Sequence, residues 1–253
     1  MDHIKSESNE DLLIVTMSRG KANALNSAMV DELSAAIKEA AGNEAVRGVV
    51  LASDRARFFS GGFDVTEVFE YDRETMTDFF GRFIDLYEGM LRLPKPIVAA
   101  VSGHAFAGGA VLALACDNRV MAEGEFGFAL NEINVGLALP RGMVRMAISA
   151  VGVSKARLLV LEGKTLKPAE ALVCGLASEL ARPEAVLELA TEQARKLAEK
   201  PPLTFAAIKR SFNEVTGLLP ASSDRQYLGE FIDHWFSPES KRHRQALIES
   251  LRP

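Results

Sequence analysis

The sequence predicts an α/β core followed by a helical C-terminal region. Three observations predict it. Short apolar runs alternate with longer segments of helical periodicity over roughly the first 140 residues. From Arg141 onward one helical segment follows another, divided by Gly152, Gly163, Gly175 and Pro183. A Pro201-Pro202 pair then opens a last stretch with its own breaks. The expected division is a core over residues 1–200 and a helical region over 201–253.

Taken in order, Leu12–Met17 reads as a strand. Asn26 or Ser27 caps a helix to about Ala41, with Met29, Leu33, Ile37 and Ala40 on one face. Val46–Ala52 is Val-rich and reads as a buried strand, and Ser53–Gly62 as a loop. Asp64 to about Leu93 is mostly helical, broken near Tyr71-Asp72. Ile97–Val101 is a strand, followed by a glycine turn, a helix to Ala115 and a short strand at Arg119–Ala122. Helices are expected near 141–150, 154–162, 168–174 and 183–199, and from Pro202 to about Val215. Pro220 and Pro238 divide the remainder into two more.

The chain has 253 residues, 48% hydrophobic and 25% charged, enough for a sizeable core. The net charge is −5 and no basic block stands out, so a nucleic-acid partner is not implied. Cys116 and Cys174 each sit in apolar helical patterns and read as free thiols, which fits a reducing cytoplasm. The first residues, MDHIKSESNED, are polar and do not read as a targeting peptide. Pro96 to Cys116 holds no Asp, Glu, Lys or Arg and is long enough to span a membrane. Ser102-Gly103-His104 and Gly108-Gly109 interrupt it, so strand, turn and buried helix are expected instead.

The chemistry concentrates between Ser102 and Pro140. Gly108-Gly109 opens an apolar helix, and backbone N–H groups at a helix start can hold an oxyanion. Glu132 stands alone in a largely apolar segment, where a carboxyl can be pushed toward neutral pH and act as a base. Together they point to proton transfer beside a carbonyl.

Five segments carry a family resemblance: KANALN (21–26), FFSGGFDV (58–65), SGHAFAGGAVLALACDNRV (102–120), NEINVGLALP (131–140) and LKPAEALVCGLAS (166–178). In this order they resemble the crotonase (enoyl-CoA hydratase/isomerase) superfamily over nearly the whole chain. The resemblance implies a spiral of β-β-α units with a C-terminal helical trimerisation region, an acyl-CoA thioester as ligand, and a homotrimer or dimer of trimers. Coenzyme A would arrive as part of the substrate, with no separate cofactor and no metal. The resemblance places the thioester-oxygen donors on the backbone N–H groups of Phe63 and Gly108. Gly61, Gly62 and Gly109 would allow the close turns, and Lys21, Ala22, Ala24, Gly61, Asp64 and Val111 would meet the substrate or its CoA moiety.

Hydratases of this family use two glutamates. Here the first position is Val111, which cannot take a proton or orient water, and the second is Glu132. The run FALNEINVGLALP is similar to that of Δ3,Δ2-enoyl-CoA isomerases, so the expected activity is movement of a double bond with Glu132 as the single proton shuttle. A hydratase or related crotonase enzyme, in which Glu132 works alone or with another carboxylate such as Glu67, and a non-catalytic acyl-CoA binder are the alternatives.

Other residues carry paired readings. Asp64 is expected as a helix N-cap beside the oxyanion loop, and Asn131 as an orienting or structural group. His104 is read as structural, with Glu123 and Glu125 in an exposed turn. Arg141 pairs either with a pocket carboxylate or at a subunit contact. Phe69, Phe79, Phe80 and Phe83, with Met76, lie where the family covers its acyl group. Lys209 and Arg210 are candidates for CoA phosphates. Phe231, Trp235 and Phe236 either fold back on the chain or enter a subunit interface.

Overall fold

The computed structural model describes residues 2–219 and 224–251. Its elements in order are β1 (Ile4–Asn9), β2 (Leu12–Met17), α1 (Ser27–Gly42), β3 (Gly48–Ser53), β4 (Phe58–Ser60), α2 (Val65–Val68), α3 (Arg73–Arg92), β5 (Ile97–Val101), β6 (His104–Phe106), α4 (Gly108–Leu114), β7 (Asn118–Ala122) and β8 (Phe128–Ala129). After a 3₁₀ turn at Glu132–Val135 come α5 (Arg141–Leu161), α6 (Pro168–Val173), β9 (Glu179–Ala181), α7 (Val186–Ala198), α8 (Pro202–Val215), α9 (Leu228–Trp235) and α10 (Pro238–Leu251). Pro220, expected as a break, lies outside the described residues.

Two sheets organise the chain. The larger has strand order β1-β2-β3-β5-β7-β9, parallel except for the β1–β2 pair, and the smaller is β4-β6-β8. The backbone therefore steps from large sheet to small sheet to helix three times: β3-β4-α2, β5-β6-α4 and β7-β8-α5. This is the expected β-β-α repetition. β9 adds a sixth strand inside the stretch expected to be helical only.

Side chains alternate across a strand, and the large sheet is covered on both faces. Ile14, Val50, Val98 and Val120 face α7 through Ala190 and Ala194. Val15, Val49, Leu51 and Ala99 face the main core, which contains Met29 and Leu33 of α1, Phe79 and Phe83 of α3, and all of the apolar α4. Double burial explains why these strands read as continuous apolar runs.

Local chemistry sets the helix starts. Asn26 Oδ1 accepts the Met29 N–H at 3.0 Å, so Asn26 rather than Ser27 is the cap. Asp64 caps α2, accepting from the Thr66 N–H at 3.1 Å, and Asp72 caps α3 after the break expected at Tyr71-Asp72. The uncharged run from Pro96 to Cys116 resolves into β5, β6 and α4, and no helix among the described residues is long and apolar enough to cross a membrane.

Phe231 and Trp235 fold back onto their own chain. α9 packs on α3, and Phe231 stacks on Phe80 with ring centroids 3.8 Å apart. Asp224, 2% exposed, fixes the entry to α9. It accepts from Tyr87 Oη at 2.9 Å and Arg145 Nη2 at 2.6 Å, and its own N–H donates to Glu88.

Candidate active site

The site forms where two loops meet. The first, Gly61–Phe63, leaves β4 and runs beside residues 22–25. The Gly61 N–H donates to Ala22 O (2.8 Å), the Leu25 N–H to Gly62 O (2.7 Å) and the Asp64 N–H to Leu25 O (2.8 Å). Between these bonds, the Phe63 N–H makes none among the described residues. The Phe63 ring is fixed edge-on against Phe79, Phe80 and Phe83, with centroids at 5.0, 5.9 and 4.9 Å. Such contacts contribute about 0.5–1.5 kcal/mol each beyond area burial.

The second loop enters α4. The Ala107 N–H donates to Ala129 O at 2.9 Å, while the Gly108 N–H, first in the helix, also has no partner among the described residues. Ala107 has φ +46°, a strained value for a residue with a side chain. Gly62, at φ +95°, is where the loops touch: a Cβ there would lie 3.0 Å from Ala107 Cβ and 3.5 Å from Gly108 N. A Cβ on Gly109 would lie 2.5 Å from Ser60 O. Gly62 and Gly109 thus act through close backbone approach, bringing two unbonded N–H groups to one place.

A cavity of about 450 Å³ opens on this junction. Gly61, Phe63, Ala107, Gly108, Asn131 and Glu132 line it, with Ala22, Ala24 and Asp64. Glu132 heads the 3₁₀ turn, which closes through Leu137 N–H to Glu132 O (3.0 Å) and a left-handed Gly136. His243 of α10 packs against Gly136 so closely that a Cβ there would lie 2.8 Å from His243 Cδ2. Glu132 is partly exposed as a residue, yet its Oε2 is buried without a hydrogen bond and no cation among the described residues pairs with it. Burial pushes its carboxyl up to about 7.

Asp64, the other carboxylate on the cavity wall, is in the opposite state. Burial raises its pKa, but bonds from Thr66 and Arg19, with the Arg19 charge 2.7 Å away, hold it below its usual range. One carboxyl is poised near neutrality while its neighbour stays ionised.

Several expected residues stand elsewhere. Val111 is fully buried in the core, one turn into α4, and does not line the cavity. Lys21 is exposed and off the wall. Glu67 is turned away, bonded to Tyr71 Oη and to Asn26 Nδ2 (3.1 Å). Lys209 is buried with its Nζ on Asp117 (2.8 Å) and Lys95 O (3.1 Å), which removes it as a phosphate contact. Arg210 is exposed and off this wall. His104 is structural, its Nδ1 accepting the Gly127 N–H at 3.0 Å. Arg141 lies over the Tyr227 ring and 3.7 Å from Glu230. Phe79 and Met76 are core, whereas Phe69, Phe80 and Phe83 line the cavity.

Asn23 was not anticipated. Fully buried, it takes φ +46°, and its Nδ2 donates to Met17 O, Ser53 Oγ and Phe59 O, so it ties residues 22–25 to three strands. The available signal was an amide between two alanines beside the glycine loop's partner segment. Phe231, Trp235 and Leu247 also line the cavity.

The profile described as Enoyl-CoA hydratase/isomerase matches residues 7–251. A probable enoyl-CoA hydratase of Bacillus subtilis is 31% identical, over 100% of this chain and 98% of its own. The 2,3-dehydroadipyl-CoA hydratase of Escherichia coli is 33% identical over 80% of this chain and 78% of its own. The crystal structure of human mitochondrial Δ3-Δ2-enoyl-CoA isomerase superposes with a TM-score of 0.93, covering 98% of both chains, at 22% identity, a similarity that speaks for the fold alone.

Proposed function

Because the chain belongs to the enoyl-CoA hydratase/isomerase family, we propose that it shifts the double bond of a 3-enoyl-CoA to the 2-position. The observation that carries this is Glu132, raised to about 7 in a cavity whose other described carboxylate, Asp64, is held ionised by Arg19, while the position the family resemblance gives to a second acid is Val111. In this reading the Glu132 carboxylate takes a proton from C2, and the electron pair moves into the thioester carbonyl. The resulting dienolate oxygen is held by the Phe63 and Gly108 N–H groups, neither of which has a hydrogen-bond partner among the described residues. The protonated Glu132 then returns the proton at C4, leaving the double bond between C2 and C3.

A base near neutrality can both take and return a proton at small cost. Donors aimed at the developing oxyanion lower the barrier because they bind the enolate more strongly than the thioester. Nothing is oxidised and no group leaves, so the reaction needs no cofactor beyond the CoA carried in the substrate. Two unpaired cysteines fit a cytoplasmic setting. Leu203 and Val215 on α8, 87% and 88% exposed, fit a subunit contact in a trimer or dimer of trimers.

The relatives named above as hydratases keep hydration as the second reading. Turnover of a 3-enoyl-CoA and a 2-enoyl-CoA by the same protein separates the two. Isomerisation that falls at least about 100-fold in Glu132→Gln, with little hydration, supports the one-base mechanism. Dominant hydration of the 2-enoyl-CoA overturns it.

A further inference from the structure

Resting on the acyl-CoA reading of the site, we infer that the acyl group is apolar throughout, and that Phe231 and Trp235 are the specificity-determining residues that limit its bulk. Beyond the loop junction, the chamber wall is aromatic and aliphatic. Phe69, Phe80 and Phe83 come from one side of the chain, and Phe231, Trp235 and Leu247 from α9 and α10. None of the lining residues described is Lys, Arg or His, and the two charged ones, Asp64 and Glu132, are both acids. A carboxylate at the end of an acyl chain would lose its water here with no cation to meet it. It would also add a like charge beside Glu132.

The wall is tightly packed. Phe231 stacks on Phe80 at 3.8 Å, and Trp235 meets Phe69 edge-on at 5.7 Å. Arg244 binds this assembly together from behind. Its guanidinium lies 5.3 Å from the Phe69 ring centroid and 4.6 Å from that of Trp235, and its Nη2 donates to Trp235 O at 3.0 Å, at the C-terminal end of α9. Arg244 itself does not line the chamber. Among the described residues neither Trp235 Nε1 nor Arg244 Nε meets an acceptor, so Arg244→Met is the variant that tests a polar chain end against this wall.

The test is binding, so that it stands apart from the catalytic reading. Calorimetry on the full chain would compare hexanoyl-CoA and decanoyl-CoA with their ω-carboxyl counterparts. The ω-carboxyl forms are expected to bind at least about tenfold more weakly. In Phe231→Ala, the preference for decanoyl-CoA over hexanoyl-CoA should rise by about fourfold or more, the increment for one further buried methylene. Trp235→Leu serves as a second variant should the first not fold. Equal or tighter binding of the ω-carboxyl forms, lost in Arg244→Met, would overturn the inference, as would an unchanged length preference in both folded variants. Failure of isomerisation with these binding ratios intact would overturn the one-base mechanism and leave the inference standing.

Discussion

Replacing Glu132 by Gln should abolish turnover and, at the same time, make the protein more stable at about pH 8. The carboxyl is raised from 4.5 to about 7 because burial penalises the charged form. A carboxyl that holds its proton more tightly when folded favours the native state at low pH. That advantage is lost as pH rises from 4.5 through about 7, and above this the folded protein carries the full cost of a buried anion. At about 1.4 kcal/mol per unit, the shift corresponds to an upper bound of about 3 kcal/mol. Solvent reaching the partly exposed residue lowers this to about 2 kcal/mol. The neutral amide of Gln escapes that cost at any pH. For a chain of this length, about 2 kcal/mol is a melting-temperature gain of about 4–8 °C. The assay is thermal melting of wild type and variant across the pH range. The gap should be largest near pH 8 and close toward pH 4.5. The same ionisation predicts wild-type kcat/KM rising about tenfold from pH 6 to pH 8, as the ionised fraction of a group at about 7 does. Equal melting of the two proteins at pH 8, or a gap that does not narrow on acidification, would refute the assignment of a destabilised buried base.

Two further outcomes follow from packing. Gly109→Ala puts a Cβ 2.5 Å from Ser60 O, backbone that has no easy retreat; the variant should lose about 1–3 kcal/mol in chemical denaturation and lose activity as the two loops part, and a fully active, equally stable variant would contradict the close-approach argument. Sedimentation should give a mass of three or six chains, reduced by Val215→Glu on α8; a single-chain mass for the wild type would remove the proposed subunit contact.

Much of the fold was legible because burial and pattern coincide. β2, β3, β5 and β7 are doubly covered, so they appear as unbroken apolar runs. α1 and α3 announce themselves through Asn26 and Asp72 caps and a one-sided apolar face. β1 was hidden because it is a polar edge strand with a single buried residue. β4, β6, β8 and β9 are two or three residues long, and their pairing is set by distant partners rather than by local preference. At the site, glycine spacing and a lone Glu in an apolar segment were visible. What one chain position cannot reveal is which long-range neighbour meets it. Lys209 reads as a candidate for CoA phosphates until Asp117 is found beside it, and Phe231 is open between folding back and a subunit interface until it is seen on Phe80.

The placement of the base follows from the same logic of support. A carboxyl with a buried oxygen unpaired among the described residues and a strained Ala107 both work against folding, and both lie at the loop junction. Neither would persist on free loops. Ala107 is held by its bond to Ala129 O and by α4, every residue of which is buried. The Glu132 turn has no buried residue of its own and is clasped instead between α5 and α10. The C-terminal helices therefore do two things at once. They wall the cavity through Phe231, Trp235 and Leu247, and through His243 on Gly136 they brace the turn that carries Glu132, the proposed base. If the proposed roles hold, loosening α10 should reduce kcat as well as selectivity, because the segment proposed to limit the acyl group also braces the turn that carries Glu132.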